Sequence, residues 1–285
     1  MPQQRNRPDY PFRFSLCNEV LREFPFHEQC RMAAALGYDG LEIAPFTLSQ
    51  DPRALSARQV EELVRSATAN EVAITGLHWL LVSPEGLSIT DPDPQVRRET
   101  AEVIAALISL CRDLGGSVLV HGSPQQRLLP DDPKLRATAR SIALEHWARA
   151  GALAAEAGLT YCIEPLAEAN FVRTVGEASA IIDEVDESGL ATMLDTSAAG
   201  NAEAEPVTTV LDWGLAQGKI AHVQMNAVNR KAPGQGPEYL IDVLRVMQRH
   251  EYDRTVAVEP FLYEPNGIGS AAFSAGYVRG LWEGL

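Results

Sequence analysis

Tyr161-Cys162-Ile163-Glu164-Pro165-Leu166 is a short apolar run that closes on a carboxylate where another apolar residue would have continued it. Three later stretches repeat the pattern: Ala191-Thr192-Met193-Leu194-Asp195, Ile220-Ala221-His222-Val223-Gln224 and Thr255-Val256-Ala257-Val258-Glu259. Each reads as a buried strand that ends on an oxygen-bearing side chain just before a turn. Parallel strands gather their carboxyl ends at one face, so Glu164, Asp195, Gln224 and Glu259 are expected to converge although they lie far apart in sequence. Three carboxylates and one amide oxygen make a donor set suited to a hard cation.

The alternation continues on the amino-terminal side. Residues 12–17 read as a strand, Asn18 and Glu19 as a loop, and residues 25–36 as an amphipathic helix stopped by Gly37. A second strand spans 40–45. Behind Ser56, a good N-cap, Val60, Leu63, Val64 and Ala67 fall at helical spacing over 56–70. A third strand spans 72–79. Residues 80–94 hold Pro84, Gly86, Pro92 and Pro94, which rules out regular structure throughout and suggests a lid over the strand ends. Helices are expected over 95–114, 134–157, 176–186, 206–217, 239–250 and 270–282, with a fourth strand over 117–122. Eight strands alternating with helices, and no linker rich in Ser, Gly or charge, give an α/β fold, a single (β/α)8 TIM barrel. It fills residues 1–285 as one domain, with residues 1–10 as a flexible lead-in. An open doubly wound sheet is the alternative architecture, but neither a Gly-x-Gly-x-x-Gly after the first strand nor a Walker-type loop is present.

Length and composition agree with a folded globular chain: 285 residues, 46% hydrophobic and 22% charged. The net charge of -14 disfavours a nucleic-acid partner, because such binding rests on clustered Lys and Arg. Cys17, Cys30, Cys111 and Cys162 are scattered, as reduced thiols of a cytoplasmic protein would be. The polar start and the lack of a long apolar stretch predict no signal peptide and no membrane partner.

The ordered motifs Glu164-Pro165-Leu166, Leu194-Asp195-Thr196, His222-Val223-x-x-Asn226 and Val258-Glu259-Pro260-Phe261 resemble the xylose-isomerase-like barrel superfamily, specifically its sugar (phosphate) isomerase and epimerase branch, which holds the ketose 3-epimerases. The likeness runs from Gly37-Tyr38-Asp39-Gly40-Leu41-Glu42 to Phe261. It implies one divalent metal at the barrel mouth, held by Glu164, Asp195, Gln224 and Glu259, with Glu164 and Glu259 also transferring protons. The implied reaction is isomerisation or epimerisation of a sugar, sugar phosphate or cyclitol by proton abstraction through a metal-stabilised enediolate. A metal-dependent lyase or dehydratase on an oxidised sugar or cyclitol is the alternative, since it needs no different residues. Two positions depart from the pattern: Gln224 stands where the epimerases carry His, and Ala198 where several carry another His. An amide oxygen is a poorer zinc ligand than imidazole, so manganese or magnesium is favoured, with cobalt or zinc as alternatives. The same two departures, with the net acidity, disfavour an apurinic-site endonuclease-like hydrolase. Related barrels commonly pair, so a homo-oligomer is expected.

Around the quartet, His78 and Trp79 close the third strand and suit a sugar's hydroxyl and C–H surface respectively. His121 closes the fourth and leads into a loop offering Ser123, Gln126 and Arg127 to polar oxygens. Glu168, in Glu168-Ala169-Asn170-Phe171, resembles a family glutamate that faces substrate, and Arg230 matches a substrate-contacting arginine. His222 shares a face with Gln224 at a spacing of two and is placed one layer deeper. His27, His146 and His250 are read as surface residues of helices.

Overall fold

Side chains alternate across each strand, one set meeting the helix layer and the other the barrel interior. The computed structural model describes residues 9–285, so the lead-in expected over 1–10 lies mostly outside the described residues. Eight parallel strands pair in chain order, β1 (Arg13–Cys17), β2 (Gly40–Ile43), β3 (Ala73–Leu77), β4 (Val118–His121), β5 (Thr160–Ile163), β6 (Leu190–Asp195), β7 (Ile220–Gln224) and β8 (Thr255–Val258). β8 returns to β1, with Phe14 opposite Val256 and Leu16 opposite Val258, and closes the barrel.

Outside it lie α1 (Phe26–Leu36), α2 (Ala57–Ala69), α3 (Pro94–Asp113), α4 (Pro133–Glu156), α5 (Val175–Val185), α6 (Thr196–Ala202), α7 (Val207–Ala216), α8 (Ile241–Arg249) and α9 (Gly267–Glu283). The outward strand residues Phe14, Leu16, Leu41, Leu77, Leu119, Tyr161, Leu194 and Val256 pack with helix residues such as Trp147 and Leu244 in the main core. Inside, Val118, Val120, Cys162, Met193 and Ala221 form a separate, smaller plug. Elsewhere in the interior Ser15 Oγ and Thr75 Oγ1 hydrogen-bond at 2.8 Å.

Local chemistry sets the helix ends. Ser56 and Gln59 form a reciprocal capping box at α2. Asp93 and Asp132 cap α3 and α4, each followed by a proline at the first helical position, where its missing N–H costs nothing. Gly37 ends α1 in the left-handed region at φ 88°, which favours glycine.

Three expectations change. Asn18–Leu21 is a buried 3-10 helix and not an open loop, so Glu19 points into the structure. The segment over 80–94 is irregular, as its prolines require, but it is packed: Leu80, Leu81, Leu87 and Ile89 are buried, and Ile89 N–H donates to the Gln126 carbonyl at 2.9 Å. It is thus part of the wall and not a loose lid. α6 was not foreseen, because a stretch rich in Ala, Ser and Gly after a site residue reads as loop. All four cysteines are buried and unpaired. No helix among the described residues is long and apolar enough to cross a membrane.

His27 is exposed, and His250 pairs with Asp212 at 2.8 Å. His146, read as a surface residue, is buried on the inner side of α4 with its Nε2 unpartnered. Burial first, and then the nearby Arg97 and Arg149 charges, lower its pKa to about 4 from the ordinary 6.5. The unfolded chain therefore takes up this proton before the folded one does, and the contribution is full above pH 6.5 and is lost as pH falls towards 4. Denaturant unfolding at pH 7.5 and 5.0 is expected to show about 2 kcal/mol less acid sensitivity in His146→Leu than in the parent. Equal pH slopes in the two proteins would refute this assignment.

Candidate active site

Four adjacent strands deliver the quartet. Asp195 and Gln224 are the last residues of β6 and β7 and sit opposite each other in the ladder. Glu164 and Glu259 directly follow β5 and β8. All four side chains are buried at the carboxyl-end mouth, with Gln224 at 0% exposure and Glu259 at 1%.

Asn226 ties three of these strands together. Its Nδ2 donates to Asp195 Oδ2, and its Oδ1 accepts from Glu259 N–H at 2.8 Å. Asp195 Oδ1 accepts from Ala198 N–H at 2.6 Å, so the same carboxylate caps α6. Gln224 Nε2 donates to Glu42 Oε1 at 2.9 Å, while Gln224 Oε1 is buried without a donor. Beneath it, His222 Nε2 meets Glu42 Oε2 at 2.9 Å, which puts His222 one layer below the mouth. His78 stands between two carboxylates, Nδ1 at 2.8 Å from Glu259 Oε1 and Nε2 at 3.0 Å from Glu19 Oε2.

The ligand-type atoms of Cys17, Glu19, His78 and Glu259 all lie within 4.8 Å of one another. Glu259 belongs to this set as well as to the quartet, while among the described residues Glu164 and Asp195 join no group of that spacing. Asp195 acts on Glu259 through its charge, and Glu259 and Asp195 act on Glu164. Burial, then the Glu259 and Asp195 charges, raise the Glu164 carboxyl well above its usual range, against Arg127 and His78. Burial pushes Glu259 up to about 8 despite His78, with Glu19 and Asp195 adding to the rise. Asp195 is raised to about 6 by burial, against the N–H groups that bind it. Burial penalises the charge of His78, but Glu19 and Glu259 outweigh it and raise its pKa.

This donor chemistry fits a hard divalent cation. Crowded, buried carboxyls that resist ionising are the groups a positive charge would relieve, and the donor-free Gln224 oxygen is an acceptor that the protein itself leaves unmatched.

The remaining residues singled out from the sequence divide. Trp79 is half-buried between Phe46 and Phe261, with ring centroids 5.7 Å from each. Arg230 is exposed, in the left-handed region at φ 67°, and its guanidinium lies 4.8 Å from the Phe261 ring centre. Glu168 is exposed on the loop after β5, close enough for its charge to act on Asp195. Three placements correct the sequence reading. His78, expected to meet a sugar hydroxyl, is 0% exposed with both ring nitrogens against carboxylates. His121 faces the helix layer, where its Nδ1 accepts from Trp147 Nε1 at 3.3 Å and lies 3.1 Å from the Tyr161 hydroxyl. Arg127 is 1% exposed, and its guanidinium donates to the carbonyls of Glu164 at 2.7 Å and His121 at 3.3 Å, so its two terminal nitrogens clamp backbone. Ser123 likewise donates to the Leu80 carbonyl.

Sequence reasoning passed over Glu19, Glu42 and Cys17. Glu42 carried a signal, since a carboxylate inside an otherwise apolar strand needs a buried partner. Glu19 carried another, lying two residues past the end of β1.

A closed parallel barrel with a buried acidic centre at its carboxyl-end mouth is the class of molecule these observations define. The chain belongs to the xylose isomerase-like TIM barrel family, whose profile matches residues 30–277. The D-psicose 3-epimerase of Ruminiclostridium cellulolyticum is 26% identical over 243 residues, covering 83% of this chain and 78% of that one. The crystal structure of D-psicose 3-epimerase with D-tagatose from Clostridium cellulolyticum superposes with a TM-score of 0.75 at 21% identity, over 96% of this chain and 92% of that one. An L-ribulose 3-epimerase structure gives 0.79 at 18% identity, over 96% and 95%. At these identities the solved structures establish the fold.

Proposed function

We propose that the chain is a sugar epimerase or isomerase that moves a proton at the carbon beside a ketose carbonyl, with Glu164 and Glu259 as the acid and base. The observation that carries the reading is the placement of two buried carboxyls, Glu164 directly after β5 and Glu259 directly after β8, at the same mouth of the barrel. A general base works best when its pKa lies near the working pH, and a carboxyl that has taken a proton can return it. One glutamate takes the proton from one face of the carbon; the other, still protonated, delivers one to the opposite face. His78 holds Glu259 through Nδ1 and is itself held by Glu19, which fixes where the Glu259 proton sits. Glu164, Asp195, Gln224 and Glu259 would hold a divalent cation, which would supply Lewis-acid stabilisation of the negative charge that proton removal creates on the substrate. Trp79 and Phe261 offer apolar faces to the sugar's C–H surface.

The name of the Ruminiclostridium relative, a D-psicose 3-epimerase, supports epimerisation among the isomerase reactions. The test is incubation of the manganese-loaded protein with D-psicose, D-tagatose and L-ribulose in deuterium oxide. Deuterium is expected at the carbon beside the carbonyl, with a C3 epimer as product, and both are expected to cease on chelation. Elimination products in place of an epimer would move the assignment to a lyase; no exchange with any ketose would overturn it.

A further inference from the structure

Glu42 in β2 is fully buried, and other buried side chains lie against both its oxygens. Oε1 accepts from Gln224 Nε2 at 2.9 Å and from the Cys17 thiol at 3.7 Å, and Oε2 meets His222 Nε2 at 2.9 Å. A side-chain amide has two chemically opposite ends that differ little in size, so its orientation must be set by what surrounds it. A carboxylate is acceptor-only, and it therefore requires the NH2 end of Gln224 to face it. The amide oxygen is then left at the other end, buried and without any donor in the protein.

We infer that Glu42 is a positioning residue that fixes the orientation of the Gln224 amide, so that an oxygen and not an NH2 group is presented to the cation. This rests on the reading of Gln224 as a ligand given above. An amide needs an external group to choose its end, and Glu42, with His222 below it, makes that choice. Turned over, the amide would put two N–H donors against a cation and give Glu42 an acceptor in place of a donor.

The experiment is manganese titration by calorimetry on the parent and on Glu42→Leu, Glu42→Gln, Gln224→Ala and the double Glu42→Leu/Gln224→Ala, beside NMR of the Gln224 side-chain amide in the metal-free proteins. Glu42→Leu is expected to bind manganese about 10- to 100-fold more weakly than the parent, as loss of a ligand's supporting partner does elsewhere. The double variant is expected to be no weaker than Gln224→Ala alone, which general loosening of the barrel would not produce. Glu42→Gln, the same size as the parent, is expected to fall between parent and Glu42→Leu and guards against loss of folding in the latter. The Gln224 amide protons are expected to exchange slowly in the parent and quickly in Glu42→Leu. Parent-like affinity in both Glu42 variants, or additive losses in the double, would overturn the inference while leaving the cation reading intact. A parent protein that binds no manganese would overturn both, and is told apart by the parent titration alone.

Discussion

Glu164→Gln and Glu259→Gln are each expected to lower net epimerisation by about 10²- to 10⁴-fold at saturating cation, the range typical for loss of a positioned proton-transfer group. Glutamine keeps the size of the side chain and an oxygen donor, so the barrel and most of the cation affinity should persist while proton transfer is lost. The two variants should also differ from each other. With only one base left, the proton can still be removed from one face and returned to it, so each variant is expected to wash deuterium into one epimer without forming the other. The thermal stability of Glu164→Gln is expected not to fall, because burial and the Glu259 and Asp195 charges disfavour that carboxyl as a charge, whereas Glu259→Gln removes the buried partner of His78 and is expected to melt lower. Turnover within tenfold of the parent in either variant, measured with manganese bound, would remove that glutamate from the mechanism.

How much of this was readable beforehand follows from the physics of a closed barrel. Strand ends were legible because four apolar runs each stop on an oxygen-bearing residue, and parallel pairing in chain order leaves those stops at one rim. What a side chain meets across the interior was not, since closure pairs residues such as Glu42 and Gln224 that are 182 positions apart. No local pattern encodes such a contact; only the unusual charge in β2 hints at it. His121 was misread for a different reason. Strand-end position suggested the mouth, but alternation along β4 outweighs it: Val118 and Val120 face inward in the inner plug, so His121 must face the helices. His146 was judged by its polarity, though the apolar neighbours Ala143, Trp147 and Ala150 mark its side of α4 as buried. Arg127 was read from charge alone, and the two backbone carbonyls that claim it are visible only once β4 and β5 are paired.

The same alternation assigns the inward place at the mouth end of β4 to Gly122, and there the largest effect of a single methyl group is expected. A Cβ built on Gly122 overlaps Glu164 Oε2 and comes 2.9 Å from its Cδ, so the missing side chain is what lets the Glu164 carboxylate lie across the neighbouring strand. Gly122 is not among the residues with positive φ, so alanine there meets no backbone penalty and acts through the carboxylate. The atom in the way is the tip of a side chain, which can move, and the fold should tolerate the change. Catalysis should not, because displacing a reacting group by about 1 Å costs on the order of 10²-fold in rate. Gly122→Ala is therefore expected to lose about 100-fold in kcat/KM, with a melting temperature close to that of the parent. Combining it with Glu164→Asp, which withdraws the carboxylate by one methylene, should cost less than the sum of the two single losses, since the shorter side chain has already left the space the methyl group fills. Parent-like activity in Gly122→Ala, or strictly additive losses in the double variant, would show that the position of Glu164 across β4 is not what its function depends on.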